Sequence, residues 1–302
     1  MKTALSPGRE SLLWKLVCVT LWAGEELVAG LLIERYSALQ VVWVRFAAQL
    51  VLMGLLWGRR EPMQLVRTAR PWLQVSRAAM MVAMPICWLL AMQRNMAPDT
   101  LMAVFWSSPI LLLLCAHVLG GERAPATLWI AAAAACAGAN LFFHHERLPT
   151  ATMVALALGM TLSFVLFVVA TRALRHERLR ANLFYTAAGV VVLMLPLLPG
   201  RWVWPDAMGL AGMVSVGVLG FGALYALERM AAAAPVSLTA PATGLQLLPS
   251  IGAAWLAGQH AWSWSSTLGA VVVVAVAMAL WWLDPAVRQR PALAPAPGGA
   301  AD

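Results

Sequence analysis

The sequence predicts an all-α integral membrane protein, with ten transmembrane helices arranged as two inverted five-helix repeats. Three observations lead there. Of 302 residues, 62% are hydrophobic and 11% charged, whereas a soluble domain is about half apolar and about a quarter charged. Apolar runs of about 20 residues, the length that crosses a bilayer as a helix, recur along nearly the whole chain. The second half also repeats features of the first at one fixed shift. A β-barrel would instead show strands of about 10 residues with alternating polarity.

The ten runs cover residues 12–33, 38–57, 71–92, 99–119, 125–144, 150–171, 181–199, 208–227, 234–257 and 266–283. Short connections make neighbouring helices antiparallel hairpins. No A-x-A-like cleavage site follows the first run, which therefore reads as a retained helix. The chain then divides into a cytoplasmic N-terminal tail (1–11), a first repeat (12–148), a second repeat (149–285) and a disordered cytoplasmic tail (286–302), which is rich in Pro, Ala and Gly.

The net charge of +8 could suggest a nucleic-acid partner, but the basic residues sit in short loops between apolar runs, as membrane orientation requires. With the N-terminus in the cytoplasm, the inner side carries Lys2, Arg9, Arg59, Arg60, Arg67, Arg70, Arg123, Arg172, Arg175, Arg178, Arg180, Arg229, Arg288 and Arg290. The outer side carries only Arg35, Arg94, Arg147 and Arg201. This asymmetry places both termini on the cytoplasmic side, and the expected location is a bacterial inner membrane. Cys18, Cys87, Cys115 and Cys136 all lie within apolar runs and read as free, buried thiols.

A shift of 137 residues lays Ala97-Pro98 on Ala234-Pro235, Leu101 on Leu238, and "GERA" (Gly121 to Ala124) on "GQHA" (Gly258 to Ala261). Pro109 and Pro249 also fall near one another under it. Each repeat holds five spans. Five is odd, so the second copy enters the membrane from the opposite side. Inverted repeats of this kind belong to transporters, with the substrate site near the midplane between the halves.

An arginine in "VRFAAQLVLMGLL" (Val44 to Leu56) is followed by a basic loop and a second arginine in "SRAAMM" (Ser76 to Met81). Then comes "MAPDTLMAVFWSSPILLLLCAHVLGGERAPATLWIAAAAACAGANL". In the order and spacing of these motifs, over about residues 11–283, the chain resembles the drug/metabolite transporter superfamily, in particular its ten-helix EamA-type members. The resemblance implies a secondary transporter of a small organic metabolite, either amino-acid-like, nucleoside-derived or vitamin-like. The second half departs from the family pattern where Gln259 replaces the glutamate that often follows the glycine.

Glu25 and Glu26 interrupt the first span. Counting a rise of about 1.5 Å per residue, Glu26 and Arg45 both lie about 10 Å below the outer boundary, on consecutive helices. A charge within a bilayer costs a few kcal/mol, so Arg45 is expected to contact one of the two acids. Adjacent residues diverge by about 100° around a helix, so both acids cannot aim at it. Trp22, Glu26, Ala29 and Gly30 form one helical stripe whose small residues allow close approach. The geometry leans toward Glu26 as the packed partner. Under the family resemblance, Glu25 falls where a small polar residue lines the cavity. The acids either only hold helices 1 and 2 together, or one of them binds a proton, a cation or a cationic substrate group.

Arg77 either snorkels to the inner interface or serves as an anion-binding group at an inner gate. Lys15 reads as an interfacial anchor. Trp14, Trp57, Trp72, Trp202, Trp204, Trp262, Trp264, Trp281 and Trp282 fit interfacial belts, while Trp22, Trp43, Trp88, Trp106 and Trp255 fall deeper. Trp106 is the strongest candidate for stacking on a flat substrate, since Ser107, Ser108 and Pro109 follow it. A proline there frees a backbone carbonyl that the serines can answer. Thr239, Thr243, Gln246 and Ser250 make the matching stripe in the ninth span. "HHER" (His144 to Arg147) reads as a wetted outer loop.

No P-loop, HExxH, GxSxG or metal-spaced Cys/His cluster is present. No catalytic residue, cofactor or metal is expected, and transport must be secondary. The expected partners are a small-molecule substrate, the lipid bilayer and, if the chain is proton-coupled, protons. The chain is a monomer or a homodimer. The alternative is an integral-membrane enzyme or flippase acting on a lipid or isoprenoid carrier. An enzyme would need acids or histidines clustered at one interface, and none is visible.

The charge asymmetry makes a topological prediction. A reporter fused after Arg290 reads cytoplasmic and one inserted at Gly258 reads external. A periplasmic C-terminus would overturn both the orientation and the count of ten.

Overall fold

The computed structural model describes residues 5–58, 62–141, 150–249, 252 and 263–287. Among them the regular elements are all helical. Helix α1 spans Pro7–Ile33, α2 Ala38–Met53, α3 Pro62–Val66 and α4 Pro71–Met92. They are followed by α5 Pro98–Phe105, α6 Ser108–Val118, α7 Ala126–Asn140, α8 Ala151–Ala173 and α9 Leu179–Met194. The last are α10 Ala207–Ala233, α11 Val236–Thr239, a 3₁₀ turn at Pro241–Gln246, and α12 Trp264–Val287.

Among the described residues, eight stretches are long and apolar enough to cross a membrane: Pro7–Ile33, Ala38–Gly58, Pro71–Met92, Thr100–Val118, Ala151–Ala173, Leu179–Leu197, Ala207–Ala233 and Trp264–Trp282. The other two expected spans are different in kind. The fifth is the shorter helix Ala126–Asn140. The ninth is broken into α11 and the 3₁₀ turn. Ser250, Trp255, Trp262, "GQHA", "HHER" and the tail from 288 lie outside the described residues.

The ends of these helices have local causes. Ser6 accepts a hydrogen bond from the Arg9 amide, and Pro7 follows at N1, so α1 starts ahead of the expected residue 12. Asp206 caps α10 through the Gly209 amide at 2.6 Å. At its other end α10 runs on to Ala233, past the expected 227, because the charged Glu228 finds a partner inside the bundle. The fourth span breaks at Trp106 and Ser107, since Pro109 has no N–H to offer the preceding turn.

The core is mainly apolar, but large apolar residues also stand on the outer surface and several polar residues are buried. Leu210, Val214 and Val218 on α10, Leu27 and Leu31 on α1, and Val271 and Met278 on α12 are exposed. Gln40, Gln49, Gln74, Arg77, Thr161, Asn182 and Thr186 are buried. Trp72, Trp204, Trp264 and Trp282 stand exposed near helix ends, and Trp106 is buried completely in the core. All four cysteines are free.

α1 packs along α10, as α8 packs along α4, and α2 lies against α10 as α9 lies against α4. The α2–α10 crossing is close because α10 offers glycine. A Cβ on Gly217 would lie 2.8 Å from the Ala48 Cβ and 2.9 Å from the Arg45 carbonyl oxygen. Gly30 on α1 faces open space.

Gly217→Ala therefore destabilises the detergent-solubilised protein by about 1–3 kcal/mol, as overpacking does, and lowers its thermal unfolding midpoint. Gly30→Ala leaves it unchanged or raises it. Equal midpoints for the two variants would mean that α2 and α10 do not approach so closely.

Candidate functional site

The two acids of α1 part company as their helical phase requires. Glu25 is buried and forms an ion pair with Arg45 of α2. This reverses the expected assignment, in which Glu26 was the packed partner. The cause is the neighbour of α1. The face carrying Leu21, Gly24 and Glu25 packs on α10, where Gly222 meets Leu21 and Leu219 meets Gly24. Arg45 reaches the same seam, its guanidinium lying over Gly220, where a Cβ would fall 2.6 Å from Nε. Nε and Nη2 of Arg45 and Oε2 of Glu25 have no hydrogen-bond partner among the described residues.

Glu26 is exposed and turns about 100° away, toward the broken ninth span. Its Oε1 accepts a hydrogen bond from Gln246 Nε2 at 2.8 Å. Residues three apart in a 3₁₀ turn share a face, so Thr243 sits beside Gln246. The expected continuous stripe from Thr239 through Thr243 and Gln246 does not form, because Pro241 ends α11 and starts the 3₁₀ turn. Thr239 instead returns its hydroxyl to the Val236 carbonyl at 3.3 Å.

The other broken span meets this one, with α6 packing on the 3₁₀ turn. Ser107 donates to the Val104 carbonyl at 2.7 Å, so it answers the interrupted helix. Trp106 Nε1, Ser108 Oγ and Thr243 Oγ1 are buried without a partner among the described residues. Trp106 ends a chain of ring contacts. Its centroid lies 5.4 Å from that of Phe105, Phe105 lies 5.3 Å from Phe164, and Phe164 lies 5.9 Å from Trp22. Trp22 is one turn below Glu26 on the same face of α1. Glu26, Gln246, Thr243, Ser108 and Trp106 thus belong to elements that meet where both helices break, beside an aromatic wall.

Arg77 does not snorkel. It is wholly buried and forms an ion pair with Glu228 of α10. It also donates to Thr186 Oγ1 at 2.7 Å, to Thr171 Oγ1 at 3.2 Å and to the Asn182 carbonyl. Asn182 Nδ2 donates to Glu228 Oε2 at 2.8 Å, and Gln74 Nε2 to Asn182 Oδ1 at 2.6 Å. A guanidinium this far inside takes its acceptors from α8, α9 and α10 together, and its Nε has no partner among the described residues. Glu228 could have been suspected from sequence, as an acid near a helix end with no neighbouring cation facing it at helical spacing. Lys15 likewise is no anchor. It is 2% exposed and has no hydrogen-bond or ion-pair partner among the described residues. It lies on the inward face that also carries Trp22.

Among the described residues, no group of three or more His, Cys, Asp or Glu could hold a metal ion. The chain matches no family model and no curated protein. Among solved structures, the crystal structure of one protein is similar in fold, with a TM-score of 0.77 at 18% identity, covering 92% of this chain and 98% of that one. The likeness is one of fold alone.

Arg45→Ala strands Glu25 and lowers folded yield, since removing one partner of a buried pair costs about 3–5 kcal/mol. Adding Glu25→Gln recovers part of the loss, and adding Glu26→Gln does not. Size-exclusion recovery after solubilisation reads all three variants. Equal rescue by either acid would contradict the assignment of Glu25.

Proposed function

We propose that this chain is a secondary transporter in a bacterial inner membrane, with both termini cytoplasmic. On this reading it belongs with the EamA-type drug/metabolite transporters and moves a small organic metabolite by alternating access. Large apolar residues stand exposed along the long helices while several polar and charged ones are buried, which suits a bundle solvated by lipid. The exchange of contacts, α1 with α10 against α8 with α4, is what two inverted repeats would produce. The helices of the two halves that break are the fourth and the ninth, and they occupy aligned positions under the shift of 137 residues.

The observation that carries the reading is the meeting of these two breaks. Broken helices facing each other between repeats are the usual substrate site of inverted-repeat transporters. Here they meet with three unpartnered buried polar atoms, on Trp106, Ser108 and Thr243, and with Glu26 turned toward them. Irregular backbone at membrane depth is tolerated where it lines a cavity. A substrate supplies the hydrogen-bond partners that the chain withholds. Glu26 is the group that takes up a proton or a cationic substrate group, because Glu25 is committed to Arg45.

Comparing metabolite pools between a deletion strain and an overexpressing strain identifies the cargo. In proteoliposomes loaded with that cargo, Glu26→Gln abolishes uptake driven by an imposed pH gradient but leaves one-for-one exchange measurable, because exchange needs no net proton movement. An unchanged response to the gradient removes the coupling role of Glu26. Metabolite pools that do not differ between the strains remove transport itself.

A further inference from the structure

One charged junction lies apart from the candidate site, in the turn between α6 and α7. Glu122 sits there, just after Gly121, whose φ of +65° turns the chain. Its two carboxylate oxygens accept hydrogen bonds from backbone amides of α11, Oε1 from Val236 at 3.2 Å and Oε2 from Ser237 at 2.9 Å. These are among the first amides of a helix, which have no partner within it. Arg172, at the end of α8, brings its Nε to 3.6 Å from the same carboxylate. Its Nη1 donates to the Ala231 carbonyl at 2.5 Å and to the Ala232 carbonyl at 3.3 Å, in the last turn of α10. A carboxylate on a helix start and a guanidinium on a helix end are each in their favoured electrostatic place.

One ion pair therefore joins the α6–α7 turn of the first half to three elements of the second: the end of α8, the end of α10 and the start of α11. Beyond α11 comes the 3₁₀ turn that carries Thr243 and Gln246. α11 is four residues long, too short to hold its own position, so Glu122 sets where the site-bearing segment begins.

The pair is more accessible than the two ion pairs inside the bundle, slightly more than Arg45–Glu25, whose side chains are 11% and 7% exposed, and clearly more than Arg77–Glu228. The side chains of Arg172 and Glu122 are 19% and 13% exposed, whereas those of Arg77 and Glu228 are 0% and 7%. Breaking the Arg77–Glu228 pair would leave charge deep in the protein. The Arg172–Glu122 pair stands where water reaches both groups once they separate, so it can open and close reversibly.

We propose that Glu122 and Arg172 form the latch of the inner gate. With the latch shut, as here, the start of α11 and the ends of α8 and α10 are tied together, at the end of the bundle that the charge asymmetry places in the cytoplasm. Releasing the Val236 and Ser237 amides frees α11, and with it the face of the 3₁₀ turn that meets Glu26. Glu122 is a positioning residue in this scheme. The inference rests on the alternating-access reading above, but its test needs no cargo.

Ser237→Cys is made in the otherwise unaltered protein, which is reconstituted in nanodiscs of phosphatidylethanolamine and phosphatidylglycerol. Labelling by a membrane-impermeant maleimide is timed, with the parent protein subtracted for its native thiols. Labelling is slow with the latch intact. Adding Glu122→Gln, which keeps the shape and removes the charge, speeds it about fivefold or more, as loss of a charged cap and its ion pair requires. An unchanged rate overturns the latch.

If Glu122→Gln does not fold, Arg172→Gln is labelled in its place and reads the same way. Hydrogen exchange on the unsubstituted protein adds a check, since amides 236 and 237 must be protected. Exchange there at the rate of an unstructured peptide also overturns the proposal. Faster labelling without any difference in metabolite pools would keep the closure and remove transport, and unchanged labelling beside a clear difference would do the reverse.

Discussion

Charge inside this bundle has to be neutralised by charge on another helix, and much of the architecture follows from that constraint. An unpaired ion in apolar surroundings costs several kcal/mol, and removing one member of a buried pair costs about 3–5 kcal/mol. Arg45 and Glu25 join α2 to α1, and Arg77 and Glu228 join α4 to α10. α10 takes part in both, offering Gly220 as the floor under Arg45 and Glu228 as the partner of Arg77. Two turns of one helix thus hold both pairs in fixed relation, and α1, α2 and α4 are positioned against it.

This constraint separates the two acids of α1. Adjacent positions cannot share one face, so committing Glu25 to the α10 seam leaves Glu26 to the opposite sector. There it meets a segment whose backbone is already irregular. The breaks at Pro109 and Pro241 leave hydroxyl and indole groups short of partners. The ion pair on one side of α1 and the Glu26–Gln246 hydrogen bond on the other are two results of the same helical geometry.

The junction at Glu122 follows a different logic from the buried pairs. Its carboxylate binds two backbone amides and a guanidinium, and the two charged side chains are partly exposed. Buried pairs of high cost suit the parts of a transporter that stay assembled, and accessible pairs suit the parts that must separate. Lys15 fits neither group, because it is buried and unpaired.

The sequence by itself determined the helical class, the places of most spans and the need for an Arg45–glutamate contact. These depend on composition, apolar run length and depth counted along a helix, all of which are local. The bounds of α4 agree with the apolar run at 71–92. Sequence also pointed to Trp106, Ser108, Thr243 and Gln246 through the prolines near them. It did not decide which glutamate Arg45 takes, because depth is the same for both and only the neighbour of α1 sets the phase. It did not find Glu228 opposite Arg77, since those residues are 151 positions apart and no local pattern links them. It mistook Lys15 for an anchor and gave the ninth span an unbroken stripe. Tertiary structure decided these points, because the direction a buried side chain can afford to point depends on which helix lies across from it, and that is a property of the packed bundle.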